Sequence, residues 1–307
     1  MLIGFLAALL LALGFLVFQW LRGGAQRAAA RAQLLADVMT ATQKRPVDTG
    51  ELSHLVANLQ KLPDHEGDRE LTAALARIEL ARGRPERAQA MFLPIASQPG
   101  AAPAEQRLGA QILLRCHESG TADRATATAM LQQTMAFAAA AYADGHDADD
   151  LLIGWLAANR LPDAEREQRF AEQLRTDHAD SPGAKLVQCK QSFRLEMPLA
   201  EITNLRAEFA QPPAELDAMH VAVVLQQGDL RGAVATAEPA LQRTPGVDSV
   251  RHITAIVFHA CAKGHPDSPE ERAAWVARRD AQLDWLDAHA EPDDGRRAVW
   301  AAMRADR

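Results

Sequence analysis

The stretch from Asp68 to Gly100, DRELTAALARIELARGRPERAQAMFLPIASQPG, restricts the fold more than any other part of the chain. Two amphipathic patterns of helical period meet in it at Gly83. Leu71, Leu75, Ile78 and Leu80 mark the first helix; Ala88, Met91, Phe92 and Ile95 mark the second. Pro85 opens the second helix, where a missing backbone N–H costs nothing, and Pro99 closes it. A glycine at the corner allows a tight turn, and small residues such as Ala76 and Ala88 let the two helices approach. One such pair cannot bury both apolar faces alone, so it needs neighbouring pairs to stack on.

The arrangement recurs. Glu215 to Pro245 turns at Gly228, with Ala233 and Ala240 at small positions and Pro245 at its end. Looser units run from Pro103 to about Tyr142, turning at Gly120, and from Asp149 to Ser181, where Pro162 opens the second half. Ala184 to Gln211 turns at Met197-Pro198, and Val247 to Ala290 forms the last pair. Ser268-Pro269-Glu270-Glu271 opens its second helix with an N-cap, an N1 proline and a capping-box glutamate, ahead of the stripe Val276, Leu283, Leu286 and Ala290. Asp293 to Met303 reads as a short capping helix. Upstream, Asp48 and Glu51 open a helix to about Lys61, with Leu52, Leu55, Val56 and Leu59 as its apolar stripe. No segment alternates as a strand would; Val221 to Leu225 comes nearest, and its place before Gly228 makes it helical. The expected class is all-α, with about six helix pairs over residues 48–307.

The Asp68–Gly100 unit resembles a tetratricopeptide repeat. Leu75-Ala76 approximate its Leu-Gly pair, Ala88 is its central small residue, Phe92 its aromatic, and Pro99 its terminal proline, one position early. Thr72 and Glu79 stand where the family has Trp and Tyr. The resemblance implies an α-solenoid whose first helices line a concave face that holds a peptide or another protein. Carried over position by position, it places Glu70, Ala73, Arg77 and Leu80 of one unit, and Glu215, Ala218, Ala222 and Gln226 of the other, in that groove. An equally weighted alternative leaves these side chains merely solvated.

Residues Met1 to Leu21, MLIGFLAALLLALGFLVFQWL, carry no charged side chain. About 20 apolar residues at 1.5 Å rise span a bilayer core, and lipid obliges them to be helical. Phe18, Trp20 and Arg22 suit a membrane interface. A cleaved signal peptide would have a basic start and a shorter apolar core, so residues 1–22 are read as an uncleaved transmembrane anchor in contact with the bilayer. Residues 23–47 follow as a basic juxtamembrane helix or linker. Arg22, Arg27, Arg31, Lys44 and Arg45 lie after the span and none before it, which predicts a single-pass protein of the inner membrane with its C-terminal body in the cytoplasm. A periplasmic body is the alternative. Gly4, Ala8 and Ala12 form a small-residue stripe that would let two spans pair into a homo-oligomer, although in an Ala-rich segment such a stripe arises by coincidence.

The chain carries a formal charge of -7, concentrated after the basic collar, which argues against nucleic-acid binding. Cys116, Cys189 and Cys261 are odd in number and far apart, without a CxxC, so neither a zinc site nor a disulfide framework is expected. Asp144 to Asp150, DGHDADD, is the densest polar cluster but lacks the calcium-loop pattern; it reads as an interhelix loop with Asp149 as cap. Cys116-His117 could suggest a nucleophile and base, but adjacent helical residues point about 100° apart, leaving a core thiol beside a surface histidine. Phosphate-loop, dinucleotide and zinc-protease motifs are missing, and Trp155, Trp275, Trp285 and Trp300 are assigned to packing between helices. No catalytic, metal-binding or cofactor-binding residue is expected. The expected function is a non-enzymatic adaptor in envelope assembly or its regulation. The alternatives are a periplasmic assembly factor or chaperone, cytochrome maturation being one such role, and an enzyme with an unrecognised site.

Overall fold

The structure, a computed structural model, describes residues 24–44, 46–62, 67–264, 268–290 and 294–306. The anchor expected over residues 1–22, with Phe18, Trp20 and Arg22, lies outside the described residues, as does Arg45. Among the described residues no helix is long and apolar enough to cross a membrane.

Every regular element among the described residues is an α-helix, as the sequence pattern requires. Helix α1 covers residues 24–43, α2 Thr49–Leu59, α3 Arg69–Ala81, α4 Pro85–Ala96, α5 Pro103–Glu118, α6 Arg124–Gly145, α7 Ala148–Arg160 and α8 Ala164–Asp177. They are followed by α9 Pro182–Ser192, α10 Leu199–Ala207, α11 Ala214–Gln226, α12 Leu230–Arg243, α13 Asp248–Lys263, α14 Pro269–His289 and α15 Arg297–Ala305. Local chemistry sets most of the starts. Asp48, Asp68, Asp123, Asp163, Asp229 and Ser268 each accept a backbone N–H from the first turn of the helix that follows. Each such cap stabilises its helix by about 1 kcal/mol. The cap of α7 is Asp147, not Asp149: Asp147 accepts from the Asp149 N–H, while Asp150 turns inward to Arg107, with two hydrogen bonds of 2.7 Å.

The chain divides into two units, residues 1–92 and 93–307. In the first, Val38 and Ala41 of α1 share one buried cluster with Leu52, Leu55 and Leu59 of α2 and Leu71, Ala74 and Ile78 of α3. Helix α1, in the stretch read as a basic juxtamembrane helix or linker, thus packs against α2 and α3. Two cations of the expected basic collar are held within this unit as well: Arg31 pairs with Asp68 and Glu70, each at 2.7 Å, and Lys44 with Glu51 at 2.7 Å.

In the second unit, one core runs through α5 to α11 and is built from Leu131, Met135, Leu151, Trp155, Phe170, Leu186 and Leu216, among others. Smaller clusters join α11 to α13 through Val221, Val224, Val257 and Phe258, and α14 to α15 through Leu283, Leu286, Trp300 and Met303.

The corners at Gly83 and Gly228 both adopt positive φ, 71° and 78°, in the left-handed region that glycine enters without steric cost. The two units agree further than the sequence reading recognised. Pro94 and Pro239 lie inside α4 and α12, each eleven residues after its corner glycine (94 − 83 and 239 − 228). Ala88 and Ala233, five residues after the corners, are both fully buried. One expectation for α4 needs correcting. Met91 is 37% exposed, because the inward face of α4 is set by Ala88, Phe92 and Ala96, four residues apart. The helix ends at Ala96, ahead of Pro99.

Candidate functional site

Within the second unit, three helix ends and a loop converge: the C-termini of α5 and α7, the N-terminus of α11 and the loop between α12 and α13. Arg160, in the last turn of α7, has a side chain only 4% exposed. Its Nε donates to Glu215 Oε1 at 2.8 Å, its Nη2 to Glu215 Oε2 at 3.2 Å, and the same Nη2 lies 2.9 Å from Glu118 Oε1. Glu118 also pairs with Arg115 at 2.6 Å, and Arg115 donates to Gln211 at 2.9 Å. Next to Glu215, the fully buried Asp217 accepts from Arg206 at 2.7 Å and from Arg243. Helix dipoles favour four of these charges, since Arg160 and Arg115 sit in C-terminal turns and Glu215 and Asp217 in the first turn of α11, and oppose Glu118, the last residue of α5.

Desolvation opposes the charge of Glu118, but Arg115 and then Arg160 outweigh it and hold its carboxyl down at about 2. Burial works against the charge of Arg160 too; Glu215 and Glu118 outweigh it and raise its pKa further.

Backbone contact closes the node from the other side. The Gly246 N–H donates to the Glu118 carbonyl at 2.9 Å. A Cβ at Gly246 would meet the His117 carbonyl oxygen at 2.0 Å, and one at Gly120 would meet the Gly246 backbone at 2.9 Å. The two loops therefore approach as only glycine permits.

Beneath this seal lies a cavity of about 360 Å³. Ala127, Leu131, Leu161 and Pro162 give it an apolar wall, while His117, Arg160, Asp248 and His289 give it a polar one. His117 is the main correction at the level of single residues. Its Nδ1 is enclosed and faces no hydrogen-bond partner, and burial, then the nearby Arg160, drives its pKa down to about 3. It is a neutral, half-buried residue of the cavity wall. Its neighbour Cys116 is buried, as expected. In the same cavity, the rings of Trp285 and His289 stack with centroids 3.9 Å apart, and Arg251 covers Trp285 at 4.3 Å. His289 Nδ1 bonds the Trp285 carbonyl at 2.8 Å. A second cavity, of about 660 Å³, lies beside Tyr142 and Phe170; its arginines Arg166 and Arg169 are already paired with Asp163 and Glu165.

The residues assigned to a groove by resemblance fare differently. In the first unit, Glu70 is exposed and held by Arg31, while Ala73, Arg77 and Leu80 are half-buried. In the second, Ala218 and Ala222 are half-buried and Gln226 is exposed. Glu215 departs from the expectation: it is 4% exposed, and its carboxylate is committed to Arg160 and not to a groove. Among the described residues no cluster of three or more His, Cys, Asp or Glu side chains is placed to hold a metal ion. No protein-family model matches the chain, and no curated protein matches it.

Sequence reasoning missed Arg160, Glu118 and Asp217. Each is an ordinary charged residue near a helix end, and nothing local marks it as buried. Arg115 and Gln211, which meet at the node, are 96 residues apart.

Proposed function

We propose that this chain is a non-enzymatic, tetratricopeptide-like helical-repeat adaptor, tethered to a membrane by residues 1–22 and holding a protein or peptide partner. The observation that carries the reading is the positional repeat: Gly83 and Gly228 turn the same way, and the buried Ala88 and Ala233 and the internal Pro94 and Pro239 follow at equal offsets. Stacked helix pairs with such a repeat leave one face of each first helix for recognition. Glu70 and Gln226, on α3 and α11, have the exposure that such a face needs. The apolar run supports the tether, and the cations that follow it support a cytoplasmic body, in envelope assembly or its regulation. Arg31 and Lys44 of that collar also form ion pairs within the first unit.

The test is site-specific photo-crosslinking in intact membranes from Ala73 and Gln226, with identification of what is captured. One defined polypeptide captured from both positions supports an adaptor. Capture of lipid alone, or full-length protein in the soluble fraction after lysis, overturns the reading. A reporter fused after Arg307 that is active only in the periplasm would move the body to the other side of the membrane.

A further inference from the structure

Both histidines of α13 accept a hydrogen bond from a group that can only donate. The Trp300 Nε1–H, on α15, meets His252 Nδ1 at 3.0 Å. Seven residues further along α13, the Arg279 Nη1–H, from α14, meets His259 Nδ1 at 3.2 Å. Indole and guanidinium groups have no acceptor atom, so each Nδ1 must keep its lone pair and each ring is neutral, with its proton on Nε2. The same Arg279 Nη1 reaches the Asp306 carbonyl at 3.3 Å, at the end of α15. A protonated ring has an N–H on both nitrogens, so a donor would then face a donor at both contacts.

The charges around the two rings weigh the same way. Near His252 stand Arg296 and Asp294, just ahead of α15, and Arg296 is paired with Asp294 and with Asp248 of α13. Near His259 stand Arg279 of α14, Lys263 of its own helix and Asp306, which lies 3.7 Å from Nε2 and is paired with Lys263. Burial first, then Arg296, holds His252 below the ordinary histidine value; burial, then Arg279 and Lys263, does so for His259, and Asp294 and Asp306 offset only part of this. Arg279 is fully buried, so a second positive charge beside it would be poorly screened.

These contacts bear on the seat of α15. Trp300 is fully buried and Met303 nearly so, packed with Ala255 of α13 and with Leu283 and Leu286 of α14. The remaining ties of α15, Arg297 and Arg304 to Asp284 and Asp287 of α14, are partly exposed ion pairs, which hold little.

We propose that His252 and His259 form an acid-operated latch on α15: neutral, they hold the C-terminal helix in place, and protonation at Nδ1 releases it. A released ring titrates at the ordinary 6.5 and a latched one lower, so docking is complete above pH 6.5 and is lost as pH falls below it. Each histidine contributes up to about tenfold per pH unit, so at pH 5 the two together shift the docking equilibrium by up to about a thousandfold. Release uncovers Trp300 and the side of α14 that carries Leu283 and Leu286. The latch does not rest on the adaptor reading.

Hydrogen exchange of the full chain in lipid nanodiscs at pH 7.5 and 5.0, corrected for the intrinsic amide rate at each pH, tests it. Protection over residues 297–305 should fall by at least about thirtyfold at the lower pH. His252→Asn and His259→Asn each keep an acceptor near the Nδ1 position and lose the titration. Each alone should remove about half of the fall on a logarithmic scale, and the double variant, with an unchanged circular dichroism spectrum, should leave less than about threefold. Imidazole 15N shifts of the parent at pH 7.5 report the tautomers without any substitution, and both rings should carry the proton on Nε2. Parent protection that changes by less than about threefold, a full-sized fall in the folded double variant, or an Nδ1–H tautomer at either ring would overturn the latch.

Discussion

Arg160 and Glu215, 55 residues apart in sequence, are joined by two hydrogen bonds of 2.8 and 3.2 Å with both side chains 4% exposed. The pair fastens the end of α7 to the start of α11. Removing one partner of a buried pair leaves the other charge without compensation, at a cost of about 3–5 kcal/mol. Arg160→Met, which strands Glu215 and leaves Glu118 to Arg115 alone, should lower the urea midpoint by the amount that corresponds to a loss of that order. Adding Glu215→Leu to that variant should recover part of the loss. A midpoint for Arg160→Met within error of the parent would show the node to be dispensable.

His117 makes stability depend on pH over a definite window. Its folded-state pKa lies below the ordinary 6.5, at about 3, so below pH 6.5 the unfolded chain takes up a proton that the folded chain refuses. Stability is therefore lost progressively as pH falls from 6.5 to about 3. Glu118 acts in the same direction at lower pH, its contribution fading as pH falls from 4.5 toward about 2. Replacing His117 with Asn should flatten the dependence of the melting temperature on pH between about 6.5 and 4.5, where Glu118 does not yet titrate. An unchanged slope would mean that His117 is already protonated in the folded protein.

Two glycines should respond to alanine for different reasons. At Gly246 the new methyl meets a backbone oxygen at 2.0 Å, which cannot move without opening the seal, so a loss of about 3 kcal/mol is expected. At Gly83 there is open space, and the cost is that of a left-handed φ of 71°, roughly 1–2 kcal/mol. Chemical denaturation of both variants checks the order; a larger loss at Gly83 would contradict it.

Arg77→Glu should reduce partner recovery from membranes if the face of α3 is the recognition surface. Glu215→Gln, on a side chain committed to the node, should lower stability while recovery per folded molecule stays the same. A pull-down with quantification of folded protein separates the two outcomes.

What could be read beforehand was governed by short-range chemistry. Gly83, Gly228 and the Ser268-Pro269 cap mark helix ends through the conformations those residues alone favour, and the ends fall where they imply. Faces were harder. Met91 was counted inward on hydrophobicity, yet Ala88, Phe92 and Ala96 define the inward stripe and leave it out. In an Ala-rich helix the largest apolar side chain does not identify the packed side. The node was invisible because its members carry the same residue types as any solvated surface. They meet only when the ends of α5, α7 and α10 and the start of α11 come together in the fold. Adjacency reasoning about Cys116 and His117 put the histidine outside, because nothing local announced the cavity that it lines.

The glycine contact between the turn after α5 and the loop before α13 also bears on how the second unit comes apart. A row of repeats that touch only next neighbours can fray from either end, one pair at a time. Here an early turn is clasped by a late loop, so the helices between them cannot peel away singly. Hydrogen exchange across α5 to α13 would then report one shared opening event, and loosening the clasp would restore end-to-end unzipping.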